Sequence, residues 1–143
     1  MRAIVLVLVA LFAVGCAGPT VTANQYRGKV AQTAKAMTGI IVTAQHAARL
    51  DLDGKMLPTV SDGVVTDAEQ DADSVQTTME SRQPPDDRSD RLRRQVEQPL
   101  RQATSLLTDL RIALRNDDHD GERAAADALD GPLGAFEQLS GVS

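Results

Sequence analysis

The 143-residue chain carries 15 basic and 20 acidic side chains, for a formal net charge of −5, with one cysteine, two histidines and no tryptophan. The acidic balance excludes a nucleic-acid face, which needs clustered Lys and Arg. One Tyr and two Phe are too few for sugar platforms, stacked-base sites or cation cages.

The first sixteen residues have the parts of a secretory signal. Arg2 is followed by an apolar run from Ala3 to Phe12, and Ala13-Val14-Gly15-Cys16 closes it with small residues and the chain's one cysteine. This stretch resembles a bacterial lipoprotein signal peptide with its lipobox, although Ala13 stands where Leu is commoner. The resemblance implies a diacylglyceryl group on the Cys16 thiol and cleavage just before it by a lipoprotein signal peptidase, which leaves Cys16 as the mature first residue. Two acyl chains hold a protein stably on a bilayer, at ~0.8 kcal/mol per buried methylene, whereas one binds reversibly. The expected division is a signal peptide over 1–15, a lipidated cysteine and tether over 16–24, and a helical domain over 25–143. Removing 15 residues from 143 leaves 128, enough for one domain with a core of its own. Arg outnumbers Lys twelve to three, a bias of GC-rich genomes such as those of actinobacteria, where small helical lipoproteins are common.

A first helix is predicted over Gln25–Leu52, because Val30, Ala34, Met37, Ile41, Ala44 and Ala48 recur at alternating steps of four and three. Gly54 ends it and Pro58 opens the next. The second helix is predicted over Thr59–Arg82, with Val60, Val64, Ala68, Ala72, Val75 and Met79 inward. Pro84-Pro85 breaks the chain. Ser89 is expected to cap a third helix reaching Arg115, whose stripe runs Leu92, Val96, Leu100, Ala103, Leu107, Leu110 and Leu114, with a kink at Pro99. The polar segment Asn116–Gly121 turns the chain into a fourth helix from Glu122, with Ala125, Leu129, Leu133, Phe136 and Leu139 inward and an interruption at Gly131-Pro132. Helices joined this briefly give an all-α fold, an up-down-up-down antiparallel four-helix bundle. Six acids on the second helix face six arginines on the third, which favours pairing those two.

Chemistry is sparse. Asn116, Asp118, Asp120 and Asp127 fall at positions one, three, five and twelve of a calcium-loop pattern, with Gly121 at six. Asp at twelve in place of Glu, and Arg123 at eight, set this segment down as an interhelical turn with Asp120 as N-cap. The alternative is a small-ligand or calcium binder using the Asn116–Asp127 loop. His46 is expected to face solvent and His119 to lie in the turn, so no metal pair forms by spacing. No nucleophile elbow or phosphate loop is present. The reading is a non-catalytic protein with no cofactor, lipid-anchored on the extracytoplasmic face of the cell membrane. Its partners would be the membrane, through the anchor, and a further protein or the envelope.

Overall fold

The computed structural model describes residues 22–141, so the expected signal peptide and Cys16 lie outside the described residues. Within them the chain is all-α, with helices α1 (Ala23–Leu52), α2 (Pro58–Glu80), α3 (Asp87–Arg115), α4 (His119–Ala128) and α5 (Asp130–Ser140). The last two follow one another across Leu129, so four helical bodies pack together. α1 and α3 each touch all the other helices, while α2 packs against α1 and α3.

Each helix end has a local cause. α1 starts two residues before the expected Gln25, because Thr22 and Gln25 form a reciprocal cap. The Gln25 N–H donates to Thr22 Oγ1 at 3.2 Å, and the Thr22 N–H donates to Gln25 Oε1 at 3.0 Å. Gly54, at φ 65°, turns the chain out of α1, which lets Lys55 and Met56 N–H donate back to Leu50 O. Pro58 then occupies the first turn of α2, where its missing N–H costs nothing.

Two expected caps are corrected. Asp86, not Ser89, caps α3: its Oδ1 accepts the Ser89 N–H at 2.7 Å, and Ser89 itself is buried in the first turn. The Ser89 N–H and hydroxyl hold the Asp86 carboxyl below the usual carboxylate range. Asp118, not Asp120, caps α4, which therefore begins at His119 and not at Glu122. The break before α5 falls at Leu129 and not at Gly131-Pro132. Pro132 has no N–H to offer the Ala128 carbonyl, so the ladder of α4 stops there, and Pro132 sits buried in the first turn of α5. α3 runs through the buried Pro99 as one helix.

The expected stripes of α1, α3 and the last helix line the core, with Tyr26, Met37, Ile41, Leu107, Leu110 and Phe136 among its largest buried side chains. α2 differs. Ala68, Ala72 and Met79 are buried as expected, but in the first turns Val60 is exposed and Ser61 and Val65 are buried, one residue later than the valine-led phase suggests. Ser61 tolerates burial because its hydroxyl donates to Asp51 Oδ1 at 2.7 Å.

The charged faces of α2 and α3 meet at two bridges. Arg111 Nε donates to Glu69 Oε2, and Arg115 Nε donates to Asp62 Oδ1 at 2.8 Å. The other arginines of α3 that form bridges pair within their own helix, Arg93 and Arg101 with Glu97 and Arg94 with Asp90. A polar tie also crosses the core. Buried Gln45 donates from Nε2 to Ala126 O and to Asp130 Oδ1, both at 2.8 Å, and so fastens the α4–α5 junction to α1.

Candidate functional site

α3 ends in a sharp reversal. Asn116 is its C-cap, and Asp117 takes φ 54°, the left-handed region that Asp and Asn enter more readily than most residues. That turn lets the Asp118 N–H donate to Ala113 O at 3.0 Å, and Asp118 Oδ1 accepts the Gly121 N–H at 2.9 Å. Helix α4 is therefore under way by His119, three residues into the calcium-loop pattern.

The four candidate calcium ligands do not converge. Asn116 is an exposed C-cap and Asp118 is engaged as an N-cap. Asp120 is fully exposed and pairs with Arg123 Nη1 at 3.3 Å. Asp127 lies on the surface of α4, in a shallow crevice beside Arg49, Asp53 and Arg123. From His119 to Asp127 the chain is α-helix, rising ~12 Å at 1.5 Å per residue, where a calcium loop would wrap.

A different set of ligating side chains does come together. Asp51 in the last turn of α1, with His119 and Glu122 in the first turns of α4, offer ligand atoms that all lie within 4.8 Å of one another. This is the one such group of three among the described residues. Glu122 is 1% exposed, and its Oε1 is buried without a hydrogen-bond partner. Its Oε2 lies 3.5 Å from His119 Nδ1, and the His119 side chain is 62% exposed. Asp51 is half-buried and receives the Ser61 hydroxyl. Burial pushes the Glu122 carboxyl above the usual range. The His119 hydrogen bond opposes the rise, and the negative charge of Asp51 adds to it. The group thus joins a buried acid, a second acid fixed by a serine, and an imidazole open to solvent.

His46, expected on the surface, is exposed beside an apolar hollow lined by Val42, Ala47, Met56 and Val64. Among the described residues no helix is long and apolar enough to cross a membrane.

No protein-family model, curated protein or solved structure matches this chain.

The Asp51–His119–Glu122 group was not expected from spacing, yet each carboxylate carries a signal. Asp51 continues the α1 steps Ala44, Ala48, and Glu122 precedes Ala125 and Leu129 by three and seven residues. Both are acids standing on apolar stripes, where a solvated acid would not be placed.

Proposed function

We propose that this chain is a non-catalytic protein anchored by lipid on Cys16 to the extracytoplasmic face of the cell membrane, and that its helical body works by contacting another protein or the envelope. The observation that carries this reading is the sequence of residues 1–16, a charged start, an apolar run and small residues ending at the only cysteine of the chain. α1 supports it through position. Its cap, Thr22, lies six residues beyond Cys16, so even fully extended chain keeps the body within ~20 Å of the anchor. With residues 1–15 removed, the chain holds 14 basic and 20 acidic side chains, so it gains no general attraction to anionic lipid, and membrane contact rests on the acyl chains.

We read the four helical bodies as an up-down-up-down antiparallel bundle. The hydrogen bonds Gln76–Thr104, Glu69–Thr108 and Asp62–Arg115 support this, since positions fall along α2 as they rise along α3. The short connections between helices favour the same arrangement throughout.

The anchor is tested by expressing the full chain with a labelled fatty acid and fractionating the cells. The unmutated protein should be labelled and sediment with membranes. Cys16→Ala should carry no label and keep its signal uncut at that site. Recovery of the unmutated protein wholly in the medium, free of lipid, would overturn the proposal.

A further inference from the structure

We propose that Asp51, His119 and Glu122 form a binding site for a divalent first-row transition ion, zinc-like in its preferences, at the end of the bundle where the last turn of α1 meets the start of α4. The site does not depend on the lipid anchor and uses none of the four exposed residues of the calcium-loop pattern.

Three observations carry it. The first is donor chemistry: one imidazole nitrogen with two carboxylates is a nitrogen–oxygen set suited to zinc and its neighbours. Calcium instead takes six to eight oxygens and magnesium keeps a shell of waters. The second is geometry. Two ligands on one tetrahedral zinc stand about 3.3 Å apart when each bond is ~2.0–2.1 Å. His119 Nδ1 and Glu122 Oε2 already lie 3.5 Å apart, and all three ligand atoms fall within 4.8 Å, so modest side-chain rotation closes the set. His119 and Glu122 are three residues apart on one helix, which puts both on one face.

The third observation is independent of the clustering. Glu122 Oε1 is buried with no hydrogen-bond partner, in a side chain that is 1% exposed. An acid left this way weakens a fold, because the His119 contact reaches only Oε2 and the desolvation of Oε1 has no hydrogen bond to offset it. A cation held between Glu122, Asp51 and His119 would offset it. Ser61 adds the outer contact that such sites use, because its hydroxyl orients Asp51 from a fully buried position on α2. Exposed His119 leaves the ion a route from solvent, and water completes its coordination on that side.

The test uses the full chain purified in detergent and stripped with a chelator, titrated with zinc, calcium or magnesium by calorimetry and by thermal melting. Zinc should bind one per chain and raise Tm, and neither calcium nor magnesium should reproduce it. His119→Ala, at an exposed position where folding is not at stake, should weaken zinc binding at least ~100-fold, more than the 10–100-fold typical of losing an outer contact. Glu122→Gln gives a signature that a purely structural residue would not: without metal it should melt no lower than the unmutated protein, and with zinc it should fail to gain. Absence of saturable zinc binding would overturn the proposal, as would zinc binding unchanged in His119→Ala. A rise in Tm with calcium that Asp118→Ala abolishes would also overturn it, moving the ion to the exposed turn.

Discussion

Leu107→Ala should lower stability by ~2–5 kcal/mol, seen as a shift in urea midpoint with little change in slope. Leu107 is fully buried on the strongest apolar stripe, between Ala103 and Leu110 on α3, which like α1 touches every other helix. Truncation removes transfer energy and leaves a cavity among helices whose spacing is fixed on several sides, so the site has little room to collapse. Arg111→Ala, one turn away, is the contrasting case. It breaks a partly exposed bridge to Glu69 and should cost about 1 kcal/mol or less after solvent screening.

The two variants should also differ with pH. Burial pushes the Glu69 carboxyl up, but hydrogen bonds from Arg111 and Thr108, and the Arg111 charge, outweigh it and leave the group below the ordinary range. A carboxyl depressed in the folded state stabilises above its unfolded pKa, and that contribution fades as pH falls through the folded value. The deficit of Arg111→Ala should therefore shrink in acid, while that of Leu107→Ala persists. Equal deficits for the two variants at neutral pH would show that the stripe faces another way.

Gln45→Glu should cost ~3–5 kcal/mol at neutral pH, on the scale of a buried charge without compensation. The substitution is close to isosteric, so packing is kept and the change is electrostatic. Gln45 Nε2 is a donor facing two acceptors, Ala126 O and Asp130 Oδ1, from a position 3% exposed. A carboxylate there would meet a carbonyl and a second acid with nothing to donate, and the carbonyl of Ala126 would lose its partner near the broken end of α4. The introduced acid would have a raised pKa in the folded state, so the deficit should be full above that value and fade toward the unfolded carboxylate pKa as pH falls. Urea melts at neutral and acidic pH measure both parts, and a deficit that does not change with pH would contradict this role for Gln45.

Much of the fold was legible because apolar residues repeat at helical steps. The rows through Ile41 on α1 and Leu107 on α3 are long and unbroken, and Pro84-Pro85 admits one reading. Hydrophobic pattern misleads where a polar residue takes an apolar position. Hydrophobicity alone ranks Val60 inward over Ser61, and only the tertiary contact with Asp51 makes the serine acceptable there. Gln45 carries no local signal for the same reason: its partners lie more than eighty residues along the chain. Cap positions shifted where several acids compete, as at Asp118 and Asp120, since the winner depends on the left-handed turn at Asp117. Of the candidate site, the individual acids could have been noticed on their stripes, but the meeting of α1 with α4 that joins Asp51 to Glu122 is a property of packing.

Intact mass of the protein extracted from membranes tests the proposed lipid on Cys16. The predicted result is a chain beginning at Cys16, without residues 1–15, heavier than its amino acids by a diacylglyceryl group and by any further acyl chain on the new amino terminus. A mass equal to the amino acids alone, whether the chain begins at Met1 or elsewhere, would contradict it.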